Sequence, residues 1–125
     1  MNLLLDTHIL LWWLDDSRLL SQGYREAVED TNNIIVVSAA VIWEMRIKQA
    51  LGKLEISNDF LEVVKQEGFE MLSITADHAY AVGDLPPHHR DPFDRMIIAQ
   101  SKLEGLTIVT QDRIFKKYDI PILGL

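Results

Sequence analysis

Residues 2–14, NLLLDTHILLWWL, contain a short apolar run that ends at an acidic residue and is followed by a second apolar segment. The run at residues 3–5 is typical of a buried strand, and residues 8–14 are predicted to form a helix. Asp6 therefore lies at the carboxyl end of a strand, directly before a helix. In open parallel sheets this is the edge that binds ligands, so the segment predicts an α/β fold with a functional position at Asp6.

Short apolar runs alternate with amphipathic stretches along the rest of the chain, and this rhythm favours a parallel sheet covered by helices. We predict strands near residues 2–6, 34–37, 70–72 and 106–109, with a fifth near 121–123. We predict helices near residues 8–14, 21–31, 38–51, 58–67, 75–83, 92–104 and 112–118. The segment LPPHHR at residues 85–90 is predicted to be a loop, because adjacent prolines remove backbone donors and restrict the preceding residue.

Several predicted helices carry signals at their ends. Ser38 is expected to cap the helix that Gly52 stops, and Thr75 precedes another helix. Asp91 precedes Pro92, which places a capping side chain before a proline at the first helical position. These signals support the helix boundaries.

The composition is that of one globular domain, expected to span residues 1–125. Hydrophobic residues make up 48% of the chain and charged residues 25%, which argues against disorder. No apolar stretch approaches the ~20 residues of a membrane span and no leader is visible, so we expect a cytoplasmic protein without membrane contact. The chain contains no cysteine, which excludes disulfides, a thiolate nucleophile and zinc–thiolate sites.

Four acidic residues lie far apart in the sequence, at positions that a doubly wound sheet would gather at one edge. These residues are Asp6, Glu44, Asp94 and Asp112. Carboxylates in close proximity raise one another's pKa unless cations neutralise them, and hard divalent ions with oxygen ligands are the usual solution. The formal net charge of −7 does not exclude a nucleic-acid substrate, because two divalent ions would cancel four of these charges.

Each acid also has a purely structural interpretation. Asp6 could cap the first helix, unless Thr7 is the cap and leaves Asp6 free. Glu44 lies in a mostly apolar helix, where an ionised carboxylate is costly to bury without a partner, and Lys48 at i+4 could be that partner. Asp112 could equally be a cap or a first-turn acid.

Asp91 and Asp94 are separated by three positions, which is close to a reciprocal capping arrangement. We assign Asp91 to the cap and Asp94 to the metal site. The other acids are interpreted as solvated positions, among them Asp15, Asp16, Glu26, Glu29, Asp30, Glu62 and Glu67. The histidines do not form a metal set, because His88 and His89 are adjacent and His78 lies on an ordinary helix. His8 could reach the edge of the site.

The ordered set of motifs resembles the PIN-domain family and, within it, the VapC-type toxins of toxin–antitoxin pairs. The matching segments are LLLDTH at residues 3–8, the helix from Ser38 through Trp43-Glu44 to GKL at 52–54, HRDPFDR at 89–95 with IIAQ at 97–100, and GLTIVT at 105–110 with Asp112. They cover nearly the whole chain in order; residues 15–33 show no matching motif.

The resemblance implies a three-layer α/β/α fold with a central, mostly parallel sheet of four to five strands. It also implies an endoribonuclease that depends on Mg²⁺ or Mn²⁺, with Asp6, Glu44 and Asp94 as core metal ligands and Asp112 as a fourth. One or two ions would activate water for attack on a phosphodiester. Thr7 could hold such a water, and Arg90 or Arg95 could bind substrate phosphate, or all three could be structural.

The implied partners are an RNA substrate, an inhibitory antitoxin and a second copy of the chain. Single-stranded or looped RNA is the expected target, because its phosphates and bases are accessible. The antitoxin is expected to direct a basic side chain at the acids. Exposed aromatic surface at Trp12, Trp13 and Trp43 would favour a homodimer. Two alternatives remain: a phosphate-accepting receiver domain, which lacks here its usual acidic pair and lysine, and an inactive scaffold.

Overall fold

A computed structural model describes residues 1–124 as a five-stranded parallel sheet with six α-helices. The strands are Asn2–Leu5 (β1), Ile34–Ser38 (β2), Glu70–Leu72 (β3), Thr107–Val109 (β4) and Ile122–Leu123 (β5). The helices are Thr7–Leu14 (α1), Gln22–Glu29 (α2), Ala39–Ala50 (α3), Phe60–Gln66 (α4), Ala76–Ala81 (α5) and Pro92–Glu104 (α6). The predicted domain limit at residue 125 lies outside the described residues.

The strand order is β3-β2-β1-β4-β5, and each neighbouring pair is parallel. In the centre, Leu4 of β1 is in register with Val36 of β2 and Ile108 of β4. The chain runs from β1 to β2 and β3 through α1 to α4, and α5 and α6 then lead back to β4 on the other side of β1. Right-handed crossovers place these two groups of helices on opposite faces of the sheet, so the predicted three-layer α/β/α fold is confirmed.

The core is centred on β1, whose residues Leu3, Leu4 and Leu5 are completely buried. A parallel strand covered on both faces is apolar at consecutive positions instead of alternate ones, which explains the uninterrupted leucine run. Each fully buried leucine contributes roughly 1.5–3 kcal/mol. Val37 and Ile108 extend the same buried layer on the two neighbouring strands.

The capping signals predicted at Ser38 and Gly52 are confirmed. The Ser38 hydroxyl accepts a hydrogen bond from the Ala40 amide (3.0 Å), and α3 stops before Gly52, whose φ is +71°. Gly105 ends α6 in the left-handed conformation that glycine adopts without a Cβ penalty.

The predicted helix at residues 112–118 is wrong in type, because Arg113–Lys117 forms a 3₁₀ helix. Five residues are too few to nucleate a stable α-helix, and short connectors of this length commonly adopt the tighter form. The predicted helix at 75–83 likewise ends as α-helix at Ala81 and continues as a 3₁₀ turn, Val82–Asp84. Within residues 1–124, no helix has the length and apolar character needed to cross a bilayer.

Candidate metal centre

The candidate site lies at the carboxyl edge of the sheet, where the strand order reverses between β1 and β4. The connection after β1 leads to one side of the sheet and the connection after β4 to the other, which opens a crevice suited to ligands. Asp6 follows β1, and Asp112 lies three residues beyond β4. Glu44 reaches the edge from the middle of α3, and Asp94 reaches it from the first turn of α6.

Asp6 is buried at the start of α1, where both of its carboxylate oxygens accept hydrogen bonds. Oδ1 accepts from the Ile9 amide (2.9 Å), and Oδ2 accepts from the Thr110 hydroxyl. Asp6 is thus the helix cap, and the alternative in which Thr7 caps α1 is wrong. Burial raises the pKa of the Asp6 carboxyl above its usual range, while the hydrogen bonds from Thr110 and Ile9 oppose the rise.

Glu44 is 5% exposed and is satisfied by two side chains. Its Oε1 accepts from the Thr7 hydroxyl (2.6 Å), and its Oε2 forms an ion pair with Lys48 Nζ (2.8 Å). The predicted i+4 pair with Lys48 therefore exists, although one partner is buried. Thr7 acts as a donor to Glu44, which joins α1 to α3.

Asp94 lies close to four other acidic side chains. Burial, followed by the negative charges of Asp91, Glu44, Asp6 and Asp112, raises the pKa of Asp94 to about 8. Asp91 itself is the helix cap, because its Oδ1 accepts from the amides of residues 93 and 94 at 2.9 and 3.0 Å. The predicted capping role of Asp91 is therefore confirmed, although Asp91 lines the same cavity as Asp94, and the metal role of Asp94 stays a prediction.

Asp112 is exposed and caps the 3₁₀ helix Arg113–Lys117 through a hydrogen bond from the Ile114 amide to Oδ1 (3.0 Å). Its own amide donates to the Thr110 hydroxyl (2.9 Å). The capping interpretation is therefore observed. The side chain nevertheless lines the same cavity as the other three acids.

Asp6, Glu44, Asp94 and Asp112, here called the acid cluster, line one cavity of about 100 Å³. Among residues 1–124, no group of three or more His, Asp or Glu side chains is arranged to hold an ion as it stands. Oxygens of Asp6, Glu44 and Asp94 accept hydrogen bonds from protein donors.

The donor set nevertheless fits a hard divalent cation. Carboxylate oxygens are the ligands that Mg²⁺ and Mn²⁺ prefer, and the cavity has room for an ion with water. Burial, together with the neighbouring acids, raises the pKa of Asp6 and of Asp94, and a bound cation would favour the ionised form of both carboxyls.

Two residues outside the predicted site lie beside the acid cluster: His89 contacts Asp94 directly, and Tyr118 contacts His89. The imidazole of His89 lies with Nε2 3.1 Å from Asp94 Oδ2 and Nδ1 2.7 Å from the Tyr118 hydroxyl. The adjacent histidines do not diverge, because both rings pack against Tyr118, at 4.9 Å and 5.5 Å between centroids, although His88 is exposed and His89 half-buried. The five-residue separation of His89 and Asp94 does not predict this contact, because the contact depends on the path of the loop that precedes α6.

The other candidate site residues fall in different environments. His8 lines the cavity, as expected for a residue at its edge, and Arg90 is exposed. Arg95 is not surface charge, because Nη1 donates to the carbonyl of Pro86 (2.8 Å) and Nη2 to that of Leu85 (3.2 Å). The Arg95 guanidinium is therefore hydrogen-bonded to the loop, and its predicted role in binding phosphate has no support. The acids interpreted as solvated are exposed.

The sequence model for the PIN domain matches residues 3–121. The chain therefore belongs to the PIN domain family, which excludes the receiver-domain alternative. A curated relative, Ribonuclease VapC22 of Mycobacterium tuberculosis, is 30% identical over 129 residues, which cover 96% of this chain and 94% of that protein.

Solved structures show the same fold. VapBC2 from Rickettsia felis, bound to a DNA fragment from its promoter, has a TM-score of 0.77 at 19% identity, over 100% of this chain and 99% of that chain. DNA-bound VapBC from Salmonella typhimurium has a TM-score of 0.68 at 18% identity, over 99% of this chain and 98% of that chain. At these identities the similarity establishes the fold.

Proposed function

We propose that this protein is a metal-dependent endoribonuclease that acts as the toxin of a toxin–antitoxin pair. The observation that carries the proposal is the convergence of the acid cluster on one cavity at the switch point of a PIN domain. The similarity to Ribonuclease VapC22 over nearly the full length of both chains supports ribonuclease activity. The similarity to VapBC complexes supports an antitoxin partner.

Asp6, Glu44 and Asp94 would hold one or two Mg²⁺ or Mn²⁺ ions, with Asp112 as a fourth ligand. The chemistry supplied by such ions is activation of water for in-line attack on a phosphodiester and stabilisation of charge on the leaving oxygen. The chain's own contribution is to fix the carboxylates. The Thr7 hydroxyl restrains Glu44, and the carboxylate of Asp6 is restrained at both oxygens.

Lys48 supplies positive charge at the wall of the cavity. Its side chain is 44% exposed and pairs with one oxygen of Glu44, so it partly neutralises the acid cluster in the ion-free protein. The same position suits an attraction to the phosphate of an incoming substrate. Lys48 is therefore the basic residue best placed to assist binding, in place of Arg95.

The size of the cavity restricts what can enter it. A volume of about 100 Å³ is well below the roughly 300–1,000 Å³ typical of pockets for small organic ligands. Ions and phosphate oxygens fit, whereas a nucleobase has to lie outside. Single-stranded or looped RNA meets this requirement, because its backbone can approach the site while its bases contact the rim.

The test is cleavage of a set of single-stranded and hairpin RNAs by the purified protein. Cleavage is expected with Mg²⁺ or Mn²⁺, is expected to stop in EDTA, and should return when excess ion is added. Glu29→Gln, at an exposed position on α2, is the matched control and should cleave normally. Cleavage that persists in EDTA contradicts the metal mechanism, and no cleavage with any ion favours the inactive scaffold.

The proposed antitoxin would place a basic side chain against the acid cluster and an amphipathic segment along the neighbouring apolar surface. A groove of about 520 Å³ beside α1 is lined mainly by apolar side chains, among them Leu11, Trp12, Leu14, Leu54 and Phe60. Replacing the antitoxin's basic residue with alanine should weaken inhibition more than binding. Inhibition unaffected by that change and by added Mg²⁺ would point to obstruction of the RNA path instead.

A homodimer acting in the cytoplasm completes the proposal. Trp43 is 57% exposed, and Tyr80 and Leu103 are also exposed, which is a large amount of apolar surface to leave in water. Trp12 and Trp13 pack partly against the core and contribute less than the sequence implied. Sedimentation should show a dimer at micromolar concentration, and a monomer there would contradict this part of the proposal.

A further inference from the structure

Four side chains form one continuous line of hydrogen bonds that ends at the acid cluster. Arg95 Nη1 donates to the Tyr118 hydroxyl (3.0 Å), the hydroxyl lies 2.7 Å from His89 Nδ1, and His89 Nε2 lies 3.1 Å from Asp94 Oδ2. The residues come from the loop before α6, the first turn of α6 and the end of the Arg113–Lys117 helix. This chain of hydrogen bonds therefore connects three separate segments to the carboxylate of Asp94.

The direction of each hydrogen bond follows from the chemistry of the first residue. A guanidinium can only donate, so the Tyr118 oxygen accepts from Arg95 and the hydroxyl proton remains available for His89. If His89 Nδ1 were also a donor, the Tyr118 proton would have no acceptor among the described residues, in a residue only 4% exposed. His89 Nδ1 therefore accepts, and its Nε2–H donates to Asp94.

The parts of this line are held rigidly. Besides Tyr118, Arg95 donates to the carbonyls of Pro86 and Leu85, which fixes the loop that carries His89. The imidazole of His89 also packs edge-on near the ring of Phe115, at 6.4 Å between centroids. The imidazole thus has little freedom to rotate away from Asp94.

We propose that His89 and Tyr118 are positioning residues that orient Asp94 for cation binding. The N–H of His89 engages Oδ2 alone, so Oδ1 stays available for a cation. Partners of this kind around metal ligands typically change metal affinity about 10–100-fold when they are removed. The inference rests on the proposed metal site but concerns residues outside the acid cluster.

The first measurement is the affinity of the RNA-free protein for Mn²⁺, by isothermal titration calorimetry. His89→Ala should weaken binding by about 10–100-fold, and Tyr118→Phe, which keeps the ring, should weaken it by a smaller factor. His89→Gln should recover most of the affinity, because its amide can still donate to Asp94. The controls are His88→Ala, a neighbouring histidine that only packs on Tyr118, and Tyr80→Phe at an exposed tyrosine.

The second measurement needs no metal. The ¹⁵N chemical shifts of the His89 ring in the ion-free protein should report the Nε2–H tautomer, and Tyr118→Phe should produce a mixture of tautomers. Circular dichroism confirms that each variant is folded, and Tyr118→Phe keeps the test available if His89→Ala does not fold.

The outcomes distinguish the positioning role from the proposed function. If the parent cleaves RNA and binds Mn²⁺ but His89→Ala and Tyr118→Phe bind Mn²⁺ equally well, the positioning role is overturned and the function stands. The positioning role is also overturned if only the KM for RNA rises, because His89 would then contact substrate. A parent protein that binds no Mn²⁺ overturns both.

Discussion

The two ends of α6 each border a buried polar cluster, and the two clusters differ in their balance of donors and acceptors. Toward the end of the helix, Gln100 accepts from the Ser38 hydroxyl (2.6 Å) and donates to the Ser73 carbonyl and to His78 Nδ1 (both 3.3 Å). His78 in turn contacts Glu104 through Nε2 (2.7 Å). In this Gln100 network each donor meets an acceptor.

At the start of the helix, the acid cluster brings four carboxyl groups together. Their donors are two hydroxyls, two backbone amides, one lysine and one histidine, and burial with the neighbouring acids still raises the pKa of Asp94 to about 8. The Gln100 network is complete without any ligand and stabilises the fold. If the acid cluster binds a cation as proposed, that cation would offset the repulsion among its carboxylates.

The largest expected effect comes from Asp94→Asn, which removes a charge from the acid cluster but keeps the side chain's shape. Cleavage should fall by more than about 100-fold, beyond the usual loss of an outer metal-site partner. The ion-free variant should melt at the same temperature as the parent or higher, because repulsion among the acids is relieved. Single-turnover cleavage and thermal melts in EDTA measure both effects; a variant that cuts at the parental rate removes Asp94 from the site.

Addition of metal should raise the free energy of unfolding, because a bound cation would offset the repulsion among the acids. At a free Mn²⁺ concentration of about 100 times Kd, the free energy of unfolding should rise by about 2.7 kcal/mol. Asp94→Asn should show little of this gain in urea denaturation. An equal gain in parent and variant would indicate that the ion binds elsewhere.

Substitutions in the Gln100 network should lower the free energy of unfolding but should leave the stabilisation by Mn²⁺ unchanged. Gln100→Leu keeps a similar volume but removes the acceptor of the Ser38 hydroxyl and the donor to the Ser73 carbonyl, which should cost about 1–3 kcal/mol. The exposed Gln66→Leu is the matched control, with an expected change within about 0.5 kcal/mol. Both variants should still be stabilised by Mn²⁺. If Gln100→Leu matched the parent in urea denaturation, the network would be dispensable.

The last expected effect is a pH dependence of the ion-free protein. The folded-state pKa of Asp94 is raised to about 8, whereas an aspartate in the unfolded chain titrates near 3.9. Between these values the folded state keeps a proton that the unfolded state has lost, so this contribution to stability falls as the pH rises. The stability of the parent relative to Asp94→Asn should therefore be greater at about pH 5 than at about pH 8; no change between them would contradict the raised pKa.

The sequence was sufficient for the fold and for the placement of the four acids because both depend on local patterns. A leucine run followed by Asp6 is visible as a strand that ends at a ligand-binding edge, and Asp91-Pro92 marks the start of the helix that carries Asp94. The metal role of these acids stays a prediction. The sequence patterns predicted only that the four acids lie at one edge of the sheet.

Contacts between distant segments could not be predicted in the same way. His78 was interpreted as an ordinary helical residue, yet it is buried and its ring accepts from the Thr75 amide (3.1 Å). A signal was available, since histidine occupies the third helical position where a capping box usually has Glu or Gln. No comparable signal exists for Arg95, because its partners depend on how residues 85–90 fold back over α6.

The hydrogen bond from Thr110 to Asp6 joins groups that are 104 positions apart in the chain. Asp6 therefore leaves the ribosome well before β4 and the segment that follows it. Pairing of β4 with β1 is a non-local step that must wait until both strands have been synthesised. The acid cluster therefore cannot assemble on a nascent chain that stops before β4, and a cell meets a complete site only after that strand has emerged.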